Sequence, residues 1–176
     1  MKSPGLQESA RHGVVLVGHG GVPRDLPRDL LMKLKAMEGK RRATNSEPTR
    51  EEIDLETRIR RWPRTPATDP YQAGLEALAA HLKPALHGAP LALAYNEFCA
   101  PSVEEAVEAM VSTGITRITL VPSMLTPGGS HSEIEIPESL ERLRVKHPGI
   151  QLRYAWPFDL TEVASMLAAQ IHRFQN

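Results

Sequence analysis

The chain has 176 residues, enough for one domain with a sizeable core, and its 21 Lys and Arg are balanced by 21 Asp and Glu, which argues against a nucleic-acid partner. No apolar run is long enough to span a membrane, and the opening MKSPGLQESA lacks the apolar stretch of a signal peptide. One cysteine, Cys99, excludes an intrachain disulfide framework, so a cytoplasmic protein is expected.

The first predicted element is a strand in HGVVLV, where Val14 to Val17 form the continuous apolar run of a buried parallel strand. It ends in Gly18-His19-Gly20-Gly21. From Val22 to Thr68 the composition turns to Arg, Lys, Glu and Pro. Leu30, Leu31, Leu34 and Met37 recur at helical spacing up to about Arg42. Thr49 and Glu52 fit a capping box ahead of Ile53, Leu55, Ile59 and Trp62. A helical hairpin inserted after the first strand is therefore expected, at about residues 22–68. Arg58, Arg60, Arg61 and Arg64 gather at its end. A solvated face is the favoured reading of them; clamps for ligand carboxylates are the functional alternative.

Asp69-Pro70 gives the next helix a cap and a first-turn proline, with Leu75, Leu78 and Leu82 as its stripe. Leu91 to Tyr95 is the second strand, and Asn96-Glu97-Phe98-Cys99 leads out of it. Ser102 and Glu105 form a capping box for a helix that buries Val103, Val107, Met110 and Val111. The third strand centres on Ile118, Leu120 and Val121. Pro127, Gly128 and Gly129 break it, His131 follows with Glu133 and Glu135, and a helix runs from Pro137 to Lys146. Gln151 to Ala155 is the fourth strand. Thr161 caps a last helix with Val163, Met166, Leu167, Ile171 and Phe174 on one side.

The order β-α-β-α-β-α-β-α implies a parallel sheet with helices on both faces and right-handed crossovers. The expected fold class is α/β: a flavodoxin-like three-layer α/β/α sandwich with four parallel strands in the order 2-1-3-4, as one domain over residues 1–176. In that order strands one and three meet at the switch point, where open sheets place their chemistry. His19 and His131 each follow one of those strands, and Glu97 follows strand two. All three then converge on one crevice mouth. Glu133 and Glu135 are left open, because acidic residues near a helix start are also favoured structurally.

LVGHGG at 16–21, AYNEFCAPSVEEA at 94–106 and LVPSMLTPGGSHSEIEIP at 120–137 together resemble the class II chelatases, the sirohydrochlorin cobaltochelatase/ferrochelatase family of CbiX/SirB type. WPFDLTEV at 156–163 matches more loosely. The resemblance covers the core but not residues 22–68, and Gly21 stands where the family often has serine. It implies ATP-independent insertion of Co²⁺ or Fe²⁺, with Ni²⁺ a further candidate, into sirohydrochlorin or a related tetrapyrrole of the cobalamin/siroheme type. It also implies His19 and His131 as metal ligands and catalytic groups, joined by Glu97. The substrate metal would be the only inorganic component, with no other cofactor. Longer family members are internally duplicated and this chain is not, so a homodimer is expected.

The residue types suit that chemistry. Metalation removes two pyrrole N–H protons and delivers one M²⁺. Imidazole ligates Fe, Co and Ni, and neutral imidazole is available near pH 7. Two alternatives remain on sequence grounds: a non-catalytic metal or tetrapyrrole carrier, and a hydrolase or phosphate-handling enzyme using the glycine loops as anion cradles. Against the hydrolase, no G-x-S-x-G elbow occurs. Of the other histidines, His81, His147 and His172 are expected to face solvent, while His12 precedes the first strand and His87 lies in a turn. Cys99 is expected to be a small buried residue, and Trp62 and Trp156 to pack in the core rather than stack on a macrocycle.

Overall fold

A computed structural model describes residues 11–175. The decapeptide on which the absence of a leader was read lies outside the described residues. Four strands, β1 (His12–Gly18), β2 (Leu91–Tyr95), β3 (Arg117–Pro122) and β4 (Gln151–Tyr154), form one sheet. Its order is β2-β1-β3-β4 and every pairing is parallel, as the β-α alternation requires. The register sets Val17 beside Ala94 on one side and Pro122 on the other, so the carboxyl ends of β1, β2 and β3 lie level.

Helices cover both faces. On one, α4 (Val103–Ser112) and α5 (Ile136–Lys146) pack Val107, Leu140 and Leu143 onto Val15, Val17, Ile118, Leu120 and Leu152. Burying each such side chain favours folding by about 1.5–3 kcal/mol. On the other, α3 (Pro70–Leu82) packs Leu75 and Ala79 against Leu16 and Tyr95. Leu78, expected in that stripe, is 49% exposed; the i, i+4 pair is Leu75 and Ala79.

Between β1 and α3 stand α1 (Arg28–Thr44) and α2 (Arg50–Arg60), which build their own small core from Leu26, Leu34, Leu55 and Ile59, with Trp62 and Phe98 against it. Half of the expected box at Thr49 forms. Thr49 accepts from the Glu52 amide, but the buried Glu52 carboxylate accepts from Arg41 Nε at 2.7 Å instead of returning to the cap. The box at Ser102 and Glu105 is complete.

From His147 onward the chain departs from expectation in four ways. Asp159, not Thr161, caps α6 (Leu160–Arg173), accepting from the Thr161 amide at 2.7 Å. α6 buries none of its residues, so the expected stripe is formed but uncovered. Trp156 is half-buried rather than in the core, stacked on Tyr154 with ring centroids 6.5 Å apart. His147 is also half-buried rather than solvent-facing. No helix among the described residues is long and apolar enough to cross a membrane.

Candidate metal centre

The site is made by three loops leaving the carboxyl ends of β1, β2 and β3. The first two are stitched together by backbone bonds: Asn96 N–H donates to Gly18 O at 2.9 Å, and Glu97 N–H to His19 O at 2.8 Å. This approach explains Gly20. Its φ is +96°, and a Cβ there would overlap the Glu97 carbonyl. The Tyr71 hydroxyl, at the start of α3, accepts from the His19 amide at 2.7 Å.

The third loop does not run open to Pro137, as the glycines suggested. From His131 to Glu135 it winds as one π-helical turn that continues into α5. Wide turns of this kind are frequent at functional sites. The Tyr154 hydroxyl at the end of β4 donates to Ser132 O at 2.9 Å and pins the turn. His131 and Glu135 therefore share one side of a helical segment and pair directly, Nδ1 to Oε2, at 2.9 Å.

His19, Glu97 and His131 are brought together: one ligand atom from each lies within 4.8 Å of the others, and all three residues are half-buried. The two Nε2 atoms are 3.0 Å apart, with the rings edge to face at 87°. Two nitrogens at that separation, each about 2.0–2.1 Å from an ion, subtend roughly 91–97° at it. The pair can act as two adjacent ligands with little movement.

The hydrogen bonds fix which nitrogens are free. His19 Nδ1 lies 2.8 Å from Gly20 O, an acceptor, so Nδ1 carries the proton and Nε2 its lone pair. Without an ion, His131 then donates its Nε2–H to His19. With an ion on both Nε2 atoms, the His131 proton must sit on Nδ1. That nitrogen faces both a donor and an acceptor: Asn96 Nδ2 at 2.7 Å and Glu135 Oε2 at 2.9 Å. Asn96 Nδ2 also donates to Glu135 at 2.6 Å. Either tautomer of His131 is thus satisfied. Burial pushes the Glu135 carboxyl up, but the bonds from Asn96 and His131 outweigh it and hold it below the ordinary carboxylate range.

Glu133, left open with Glu135, turns away from this cluster and accepts from the Gly128 amide at 2.7 Å. Asn96, Tyr71 and Tyr154 carry no local sequence signal of a role at this site. Asn96 adjoins Glu97, and only the loop conformation decides that both serve one site. Cys99 is fully buried, which raises its thiol to about 11, as befits a packing residue. A cavity of about 590 Å³ opens beside Asn96 and Glu135, walled by α2, α4 and the start of α5.

Neither reading of the arginine cluster holds for two of its members. Arg60 and Arg64 are largely buried, with their guanidinium groups on backbone carbonyls, so they form neither a solvated face nor a free clamp. Arg58 is exposed, and Arg61 is two-thirds exposed and paired with Glu105.

Known proteins resemble this chain in sequence and in fold. A family model described as CbiX matches residues 67–174, more than half of the chain. A sirohydrochlorin ferrochelatase of Priestia megaterium is 29% identical over 79 residues, which are 44% of this chain and 29% of that protein. A sirohydrochlorin cobaltochelatase of Sulfurisphaera tokodaii is 32% identical over 78 residues, 44% of this chain and 61% of that protein. The match thus spans less than two thirds of either relative. In fold, a CbiX protein from Marinobacter aquaeolei VT8 superposes with a TM-score of 0.51 at 18% identity, over 93% of this chain and 98% of the other.

Proposed function

This chain belongs to the CbiX family, and from that premise we propose that it is a metal chelatase that inserts a divalent ion, Co²⁺ or Fe²⁺ with Ni²⁺ the further candidate, into sirohydrochlorin or a closely related tetrapyrrole. One observation carries the reading: His19, His131 and Glu97, from three separate loops, have ligand atoms within 4.8 Å of one another. The ion is a substrate, and the reading needs no resident cofactor.

In this mechanism the Nε2 atoms of His19 and His131 receive the ion, with Glu97 as the third ligand or a proton acceptor. Taking the ion moves the His131 proton from Nε2 to Nδ1, against Glu135, so two neutral imidazoles load the ion by a tautomer shift with no net release of protons. Transfer to the macrocycle forms four metal–nitrogen bonds and frees two pyrrole protons. The imidazoles, vacated by the ion, are then lone-pair bases beside those protons. His131 passes its charge on toward Glu135, whose carboxylate lies against Nδ1.

Multiple turnover separates this reading from a carrier. Purified protein, sirohydrochlorin and each metal are mixed anaerobically, and absorbance follows the metallated product. Many equivalents of product per protein are expected with at least one of the three metals, and none from His19→Ala or His131→Ala. A yield that stops at one equivalent would make the protein a carrier.

The same proposal includes a homodimer in the cytoplasm. The uncovered stripe of α6 supports the dimer: Leu160, Met166, Leu167, Ile171 and Phe174 are each more than half exposed. A lone thiol such as Cys99 suits a reducing compartment.

A further inference from the structure

The inserted hairpin has its own core, yet its last residues reach across the sheet ends to the metal centre. Arg64 is buried, with only 5% of its side chain exposed, and its two terminal nitrogens serve different loops. Nη1 donates to Gly21 O at 2.9 Å, on the loop that carries His19. Nη2 donates to Phe98 O, on the loop that carries Glu97. Asp69, itself buried and capping α3 through the Gln72 amide at 2.9 Å, holds the guanidinium in place by an ion pair.

Arg60 acts one turn earlier, on the second loop alone. Its Nη2 donates to Asn96 O at 2.8 Å and its Nη1 to Cys99 O at 3.2 Å, while Nε is taken by Glu56 at 2.8 Å. Arg60 O in turn accepts from the Ala100 amide at 3.0 Å. Residues 96–100 are a tight turn in which Phe98 has φ +54°, away from the regular ladder. Loops of this kind are mobile unless their carbonyls are engaged. A planar fork with fixed donor directions engages two carbonyls at once, which a lysine cannot reproduce.

We propose that Arg60 and Arg64 are positioning residues: the hairpin is a brace that sets the distance between the His19 loop and the Asn96–Glu97 loop, and thereby the metal affinity of the centre. This rests on the metal-binding reading of His19, His131 and Glu97. It differs from a substrate lid, because both guanidinium groups are already spent on protein carbonyls. The brace works through geometry, as outer-shell partners of metal ligands do, and losses of 10–100-fold in affinity are usual when such partners go.

The test uses the full chain with Arg60→Lys and Arg64→Lys, each checked for folding by circular dichroism. Val107→Ala, a change in the apolar core that removes neither guanidinium, serves as a control for general destabilisation. Two readouts are taken. Ring ¹⁵N–¹H spectra of His19 and His131, without metal, report the imidazole pair directly. Titration with Co²⁺ alone, followed by its visible absorption, reports affinity. Arg60→Lys and Arg64→Lys should lose the distinct ring signals of the paired imidazoles and bind Co²⁺ at least about tenfold more weakly, while Val107→Ala keeps both. Wild-type ring signals in the folded arginine variants would overturn the brace. If the wild type binds no Co²⁺ at the histidines, the metal reading falls, and the ring spectra still decide the brace. Should Arg64→Lys fail to fold, Arg60→Lys, whose side chain is 19% exposed, carries the test alone.

Discussion

His131 is the residue on which the centre turns, because both of its ring nitrogens have work assigned. Nε2 faces His19, and Nδ1 faces Asn96 and Glu135. Glu135→Gln keeps the shape but replaces the acceptor that suits a metal-loaded ring by a weaker one. A fall in Co²⁺ affinity of about tenfold is expected, at the low end for such partners; calorimetric titration at neutral pH measures it, and unchanged affinity would remove Glu135 from the site. Stability carries a second residue-level signature. The carboxyls of Glu105, which accepts from the Ser102 amide, and Glu135 sit below their ordinary values in the folded chain. They stabilise the fold above the unfolded value near pH 4.5, and this is lost as pH falls through their folded values. Glu38 runs the other way: burial foremost raises its carboxyl, and its ionisation costs stability as pH rises past the unfolded value. Glu38→Gln should therefore raise the urea midpoint at pH 7 and leave it nearly unchanged at pH 4.

At the scale of elements, the buried pair of Arg64 and Asp69 joins the hairpin, both site loops and the start of α3. Removing one partner of a buried ion pair commonly costs about 3–5 kcal/mol, since the other charge is left unpaired. Asp69→Ala also removes a helix cap, worth about 1 kcal/mol. Thermal melts should show Asp69→Ala as among the most damaging single changes outside the apolar core; a shift of a degree or two would contradict that. Most elements were legible in the sequence because their signals are local. β2 was read at its exact limits from an apolar run, and Ser102 with Glu105 announced α4. The convergence of His19, His131 and Glu97 was legible too, once the strand order was supposed. What stayed hidden depends on contacts distant in sequence. Glu52 left its box for Arg41, Asn96 joined the centre through a turn, and the carbonyl targets of Arg60 and Arg64 lie more than 30 residues away. The π-helical turn at His131 was masked by the glycines before it, which read as a loop.

For the whole molecule, assembly has a simple physical handle. Four large apolar side chains of α6 and its C-cap residue Phe174 face water, an arrangement that a second copy would relieve. Leu167→Glu with Ile171→Glu should convert a dimer to a monomer in light scattering, without loss of the sheet's circular dichroism. A wild-type protein that is already monomeric at tens of micromolar would remove the homodimer from the proposal. On the proposed reading, three loops of one fold, braced by a hairpin, build a centre that takes a divalent ion between two imidazoles. Anomalous scattering from a Co²⁺-soaked crystal tests it most directly. The expected result is one strong peak at the ends of β1 and β3, about 2.0–2.3 Å from Nε2 of both His19 and His131, with the Glu97 carboxylate beside it. A fully occupied Co²⁺ elsewhere, with the two imidazoles still hydrogen-bonded to each other, would contradict it.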